Sequence, residues 1–427
     1  MDRRAAGGDA LTFARATIAG AGLAGLSAAV RLAEAGVRVR LADSAAQAGG
    51  RCRSYYDRQL GLTIDNGNHL VLAGNEAVAR FRKTIGATQP LAGPAQADFA
   101  FVDLTDGARW TIRINRGRVP WWVLARDRRV PGTAPLDYLR LARLITGGAS
   151  DVVGDRVDTD SAAWRKLIAP VLLAVLNTPP ATGSAKLTAQ VLRESLMRGG
   201  GASLPRIAEP SLAAAFVDPA VAWLAAREAP LTLGRRLRAI VTAGDRVSAL
   251  DWGDGAEPVA ADEAVILAVP PWVATALLPE ISAPDAFHAI VNGHFALPAP
   301  HGVPAMQGLI GGTAEWLFAF PDRLSVTVSA ADAIVDLDRE ELARRFWDDI
   351  QRACGFTAPM PAWQIVKEKR ATFAATPAQD AKRPPATTRW RNLFLAGDWV
   401  QNGLPATIEG ALRAGETAAR LVQQIRH

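Results

Sequence analysis

The sequence predicts a two-domain α/β protein in which both domains are discontinuous. One is a parallel sheet covered by helices and assembled from three separated segments; the other is α+β and built from the stretches between. Three observations carry this. Near the N-terminus a short apolar strand runs into a glycine-rich turn and an amphipathic helix. Near the C-terminus another short apolar strand ends in Ala-Gly-Asp and leads to a second long helical pattern. The whole chain, 427 residues at 49% hydrophobic and 21% charged, is too long for one small core and too apolar to be disordered.

Residues 1–14 read as a loose leader, with the first ordered element near Thr17. Residues 16–44 then read as strand, glycine turn, helix, strand. Ala, Leu and Val recur at helical spacing over 23–33, Gly36 sits at the C-cap, and 37–42 alternates as a strand. Such a unit is Rossmann-like, with its two strands parallel. Further along, strands are expected at 97–102 and 109–114 around an Asp106-Gly107 turn. Helices are expected at 134–147, 160–176 and 185–198, strands at 246–251 and 264–269, a helix at 338–353 and a strand at 361–374. The closing block has a strand at 393–396 and a helix from Pro405 to Ile425. No internal repeat or low-complexity tract is visible.

Composition excludes several classes. Two cysteines, Cys52 and Cys354, make no disulfide framework and fit a reducing compartment. The N-terminus carries no apolar signal segment and no apolar run is long enough to span a bilayer, so the expected location is cytoplasmic. The five histidines show no zinc spacing, so no metal is expected. The net charge of +6 is carried mainly by arginine, which outnumbers lysine 42 to 6. Arginine-rich usage fits either a GC-rich genome or attraction to an anionic surface.

The chemistry is carried by glycines and acids. Gly20-Ala21-Gly22-Leu23-Ala24-Gly25 follows a strand and opens a helix. Gly20 permits the tight turn, Gly22 lets a pyrophosphate approach the backbone, and Gly25 lets the helix pack on the sheet. Asp43, followed by Ser44, closes the second strand where a ribose hydroxyl is bound. These residues define a dinucleotide site without choosing between NAD and FAD.

Two further motifs choose. Gly49-Gly50-Arg51 resembles the second signature of the flavin amine oxidase and phytoene desaturase superfamily, and Asn392-Leu-Phe-Leu-Ala-Gly397-Asp398 resembles its final motif. The resemblance implies FAD. It sets Gly50 and Arg51 against the diphosphate and flavin, and Gly397 and Asp398 near the ribityl chain. Leu237 offers its backbone to adenine, and a helix opening at Pro405, Ala406 and Thr407 points at the flavin. The implied FAD-binding domain comprises 15–75, 232–275 and 388–427, and the substrate domain 76–231 and 276–387.

Asp65-Asn-Gly-Asn-His69, Pro120-Trp-Trp122, Asn177-Thr-Pro-Pro180, Phe216-Val-Asp-Pro219 and Leu404-Pro-Ala-Thr-Ile-Glu-Gly410 together resemble the hydroxysqualene dehydroxylases, squalene-associated FAD-dependent enzymes of bacterial hopanoid pathways. The resemblance covers nearly the whole chain. It implies reductive removal of an allylic hydroxyl from an apolar isoprenoid, hydroxysqualene. Protonation and loss of water leave a delocalised cation, which takes hydride from reduced flavin N5 to give squalene. It also implies a donor that reduces the flavin. Asp65 and His69 are the candidate proton donors, with Glu409 a third. The alternative for Asp65 is a turn-capping carboxylate. Trp121, Trp122, Trp272, Trp316, Phe318 and Phe320 are candidate cation-facing aromatics. A carotenoid-type desaturase and a non-catalytic prenyl-binding protein are the alternative readings.

Residues 109–129 hold seven arginines and three tryptophans against one acid. This suits a membrane interface, with Trp121 and Trp122 inserted and Arg126, Arg128 and Arg129 on lipid phosphates. It suits equally a loop whose tryptophans line the cavity. Nucleic acid ranks below both and is not expected. A peripheral location at the inner membrane follows from the first reading, since squalene-type substrates are nearly insoluble in water.

Overall fold

The computed structural model describes residues 13–424. Most of the expected leader, and Ile425 at the end of the expected closing helix, lie outside the described residues. The N-terminal unit forms as expected: strand Arg15–Ala19, helix Leu23–Glu34, strand Arg38–Ala42. They belong to a five-stranded parallel sheet in the order Leu231–Thr232, Arg38–Ala42, Arg15–Ala19, Glu263–Leu267, Leu393–Leu395. Strands from three distant stretches thus pair side by side. Gly20 and Gly25 lock this corner: a Cβ on Gly25 would lie 1.9 Å from the Gly20 carbonyl oxygen, and one on Gly20 2.2 Å from that of Ala268.

Helix Ile408–Gln424 packs along Leu23–Glu34, and the Ser27 hydroxyl donates to the Leu412 carbonyl at 2.9 Å. The apolar core between these helices and the sheet also takes in Val78, Phe81, Ile85, Leu212, Phe216 and Leu224. We therefore propose that 76–85 and 208–229, placed from the sequence with the substrate domain, go with the nucleotide-binding half. The junction is polar and fully buried. Glu409 accepts from the Ala77 and Val78 backbone N–H groups, both at 3.0 Å, at the start of helix Glu76–Thr84, and its other partner is Arg413 at 2.8 Å. Glu409 is thus a helix cap and ion-pair partner, not an acid at the site.

The second half centres on a seven-stranded sheet in the order Trp363–Phe373, Phe287–Phe295, Leu324–Val328, Trp316–Ala319, Met306–Ile310, Ala97–Asp103, Arg109–Ile114. It is antiparallel except where Met306–Ile310 meets Ala97–Asp103. Period-two alternation divides its faces. Val291, Phe295, Leu317 and Val326 pack under helix Arg339–Cys354 through Leu342, Phe346 and Ile350. The opposite face carries Phe101, Trp110, Trp316 and Phe318, which cluster with Trp122, Tyr138 and Leu167 from the covering segments.

The expected helix over 160–176, and a second over 213–225 that the sequence pattern did not reveal, are interrupted for a local reason. Pro170 and Pro219 have no N–H to donate, and each is preceded by a π-helical turn, Trp164–Ile168 and Ala213–Val217, before the α-helix resumes. The closing helix also starts later than expected. Pro405 and Ala406 remain in loop, and Thr407 caps the helix by accepting from the Gly410 N–H at 3.0 Å.

Removing Glu409 strands two buried N–H groups and takes from Arg413 one of its two carboxylate partners, leaving Glu194. Glu409→Ala is expected to lose about 2–4 kcal/mol of stability, read as a lower urea midpoint. An unchanged midpoint would show that the cap carries no net stability.

Candidate active site

The two glycine motifs, far from identical in sequence, form one surface. Gly49 donates its N–H to the Ala21 carbonyl at 2.8 Å, and a Cβ on Gly50 would lie 3.3 Å from the Gly22 Cα. The Gly22 Cβ position itself meets nothing within 4 Å, so the backbone is bare to an approaching group there. Leu23 and Ala24 follow in the first helical turn, buried, with the helix N-terminus directed at this opening. Asp43 braces it: its carboxylate accepts from the Ala21 N–H at 2.6 Å and the Ala45 N–H at 2.8 Å. Ser44, beside it, is exposed. The Leu237 side chain is buried beside Val247 and Leu250, while its backbone N–H and carbonyl have no partner among the described residues.

Arg51 joins three parts of the chain. Its guanidinium pairs with the buried Asp398 carboxylate at 2.7 Å and donates to the Ala371 carbonyl at 2.6 Å. Despite desolvation, the Arg51 pKa is raised by that carboxylate, so the guanidinium stays charged. Gly397 precedes it because a Cβ there would meet the Trp399 indole at 2.5 Å, and that indole is fixed by donating to the Val269 carbonyl at 2.9 Å.

Beneath the loop lies a residue that the sequence did not flag. Arg383 is 2% exposed, and its guanidinium donates to the carbonyls of Asp398 (3.0 Å), Val400 (2.7 Å) and Leu404 (2.8 Å), to the Asn402 side chain (3.0 Å) and to Asp380 (3.0 Å). One buried cation thus organises the turn between Asp398 and the closing helix. Past it, the N–H groups of Ala406, Thr407 and Ile408 have no partner among the described residues. In a chain with 42 arginines, nothing local distinguishes this one.

The two expected acids part company. Asp65 is buried, and one oxygen accepts from the Ser54 hydroxyl at 2.6 Å and the Leu212 N–H at 2.9 Å. Its other oxygen lies 4.0 Å from the buried Arg323. Burial raises its pKa, but the carboxylate is spent on holding the 54–65 hairpin to the 211–217 segment. His69 is half-buried beside Arg51, and no hydrogen bond joins it to Asp65 among the described residues. Burial and the Arg51 guanidinium lower its pKa to about 4, so the ring is neutral at pH 7. Between them the loop lies on the inner face of the seven-stranded sheet: the Asn68 amide donates to the Thr327 hydroxyl at 3.0 Å, and that of Asn66 reaches Glu368 at 3.4 Å. Asn177 is also a joint. It ends its helix at φ 45° and bonds Thr372 at 2.9 Å and the Ala330 N–H at 2.7 Å.

The aromatic candidates are also sorted. Trp316, Phe318 and Phe320 are buried in one cluster with Phe101 and Trp110, and Phe101 stacks on Trp110 at 5.7 Å. Trp272 lies elsewhere, edge-on to Phe287 and beneath Arg370. The Trp121-Trp122 pair splits. Trp122 is 4% exposed and sits edge-on to Tyr138 at 5.3 Å, so the expectation that both rings insert into a membrane is corrected; Trp121 is 48% exposed. A 3₁₀ turn, Trp121–Leu124, sends adjacent side chains to opposite sides.

A βαβ glycine corner, a second glycine pair against it, and a C-terminal Asp fixed over both by an arginine define a flavin-dependent oxidoreductase of the Rossmann type. The chain belongs to the flavin containing amine oxidoreductase family, whose model matches residues 23–423. It is 50% identical over 406 residues to a hydroxysqualene dehydroxylase of Rhodopseudomonas palustris, covering 95% of this chain and 97% of the relative. It is 48% identical over 404 residues to the hydroxysqualene dehydroxylase of Zymomonas mobilis, covering 95% and 98%. Among solved structures, cyclohexylamine oxidase of Brevibacterium oxydans matches in fold with a TM-score of 0.69 at 17% identity, over 98% of this chain and 99% of that one. The protein is an FAD-dependent oxidoreductase.

Two outcomes follow. Because nothing surrounds the Gly22 Cβ position, Gly22→Val is expected to fold with a normal circular dichroism spectrum but to purify without flavin absorbance. Full flavin occupancy in that variant would overturn the first motif. Second, the fully buried His294, its pKa lowered to about 3 by burial and by Arg323, stays neutral well below the ordinary value of 6.5. The unfolded chain therefore takes up its proton first as pH falls, and stability is lost from pH 6.5 down to about 3. His294→Gln is expected to reduce the fall in urea midpoint between pH 7 and pH 4.5; an undiminished fall would contradict this.

Proposed function

We propose that this protein is a hydroxysqualene dehydroxylase: it removes the allylic hydroxyl of hydroxysqualene reductively to give squalene. The observation that carries the reading is a flavin cradle, in a chain that also buries an aromatic cluster on its second sheet and is about half identical, nearly end to end, to relatives bearing that name. We assign Gly20, Gly22, Leu23, Ala24, Gly25, Gly50 and Arg51 to the diphosphate, Asp43 and Ser44 to the ribose, and the Leu237 backbone to adenine. Gly397, Asp398, Pro405, Ala406 and Thr407 are assigned to the ribityl and flavin side. When bound and reduced, FAD supplies the hydride.

The protein's own residues do the rest. Phe101, Trp110, Trp316 and Phe318 offer aromatic faces to an allylic cation and exclude water that would otherwise capture it. The buried indole N–H groups of Trp110, Trp122 and Trp316 have no partner among the described residues and are available to a hydroxyl oxygen. His69, neutral at pH 7, offers a hydrogen bond to the departing oxygen rather than a full proton; Asp65 holds the wall behind it. The balance is one proton and one hydride in, one water out.

Substrate this apolar resides in a bilayer. No helix among the described residues is long and apolar enough to cross a membrane, so we read the association as peripheral, on the cytoplasmic face. The reductant of the flavin is a separate donor.

Holoenzyme reduced with a deuterium-labelled donor, under conditions that prevent exchange, is expected to place deuterium on the former carbinol carbon of squalene. Rapid bleaching of the oxidised flavin by squalene, with a new double bond formed, would favour the desaturase reading instead.

A further inference from the structure

Five of the ten large apolar side chains exposed among the described residues fall in one stretch of the chain: Val119 (74%), Trp121, Leu124 (67%), Leu136 and Leu139 (59%). Two short elements carry them. In the turn Trp121–Leu124 the outward residues are Trp121 and Leu124, and in helix Pro135–Arg140 they are Leu136 and Leu139, one turn apart. The inward residues of the same two elements, Trp122 and Tyr138, touch each other at 5.3 Å and hold the elements together; the Tyr138 hydroxyl also accepts from the Val130 N–H at 2.9 Å. The outward apolar residues therefore ride on two elements packed side by side.

Two further observations say what covers this surface. Arg116, Arg118, Arg126 and Arg140 border it, are exposed, and have no ion-pair partner among the described residues, while Arg128 lies over the Trp121 ring at 4.6 Å. The two acids in these segments are engaged, Asp127 with Arg113 at 3.8 Å and Asp137 with the Ala134 N–H at 2.8 Å, so exposed apolar side chains interspersed with unpaired guanidinium groups match a bilayer with anionic headgroups. Directly behind the surface, Trp122, Val123 and Tyr138 are part of the buried aromatic cluster that holds Phe101, Trp110, Trp316 and Phe318.

We propose that the face formed by Val119–Leu124 and Leu136–Leu139 docks on an anionic bilayer and is the point where an apolar substrate passes from lipid towards the aromatic cluster behind it. The proposal rests on the function proposed above for its substrate, but not for its lipid contact. The two elements are, on this account, a lipid-facing cover whose inner side chains belong to the aromatic cluster.

The test uses the FAD-loaded protein and a triple variant, Trp121→Ser/Leu124→Ser/Leu139→Ser, none of whose altered residues contacts the flavin cradle. Sedimentation with phosphatidylcholine vesicles, with and without 30 mol% phosphatidylglycerol (about one headgroup in three), reads the lipid contact. Wild type is expected to bind the anionic vesicles and to be released by high salt; the variant is expected to bind at least about tenfold more weakly while keeping its flavin spectrum. Arg118→Gln/Arg126→Gln should weaken the low-salt binding and flatten its salt dependence. Wild-type protein that ignores anionic vesicles at low salt, or a triple variant that binds them as well as wild type, overturns the proposal. Turnover separates its failure from that of the enzyme assignment. With detergent-dispersed hydroxysqualene the variant should match wild type, and with vesicle-borne substrate it should be slower. Equal rates on vesicle-borne substrate would overturn the passage, whereas no turnover of either form by wild type would sink the enzyme assignment and leave the vesicle result standing.

Discussion

The Arg51–Asp398 ion pair is the joint on which the site depends. Its two members come from opposite ends of the chain, and the arginine also donates to Ala371 on a strand of the second sheet. Three segments that share no local sequence are thereby fixed around one opening. The pair is partly desolvated, so breaking it by removing one partner leaves a charge without compensation. Arg383 does the same beneath the loop, where a single guanidinium satisfies carbonyls that no regular element could pair. The cradle is therefore preorganised by cations, which suits a site that receives a diphosphate and a reducible ring.

The two halves divide the work by their chemistry. The parallel sheet and its glycines present backbone N–H groups and a helix N-terminus, the means of holding phosphate. The seven-stranded sheet presents, on the face away from its helix, rings and hydroxyl or amide side chains, with Lys166 over the Trp110 ring at 5.4 Å and Arg323 over the Phe320 ring at 3.8 Å. Ionising an allylic alcohol in such a place is productive only if water stays out, since water would capture the cation. Neutral His69 fits this arrangement: a permanently charged imidazolium beside Arg51 would cost more than burial permits.

Legibility in the sequence followed how local the cause was. The βαβ unit was readable because Gly20, Gly22, Gly25 and Asp43 act within one corner, and strand, turn and helix each have short-range signals. The strand Leu393–Leu395 was readable for the same reason, whereas the helix after it begins at Ile408 because Thr407, not Pro405, makes the cap. Strands such as Phe287–Phe295 and Leu324–Val328 escaped, since they pair across long stretches of chain and carry polar residues on the inner face. Asp65 could be picked out but not interpreted: its partners Ser54, Leu212 and Arg323 are brought together by folding alone. Trp121 and Trp122 looked equivalent because a 3₁₀ turn leaves no periodic trace in the sequence.

The account stands or falls on the direction of electron flow. The most direct measurement is anaerobic stopped-flow mixing of photoreduced holoenzyme with hydroxysqualene in detergent, following flavin absorbance and analysing the quenched product. The account predicts that the oxidised flavin spectrum returns as squalene appears, one equivalent for each flavin, with no oxygen present. A flavin that stays reduced while the alcohol is recovered unchanged would contradict it.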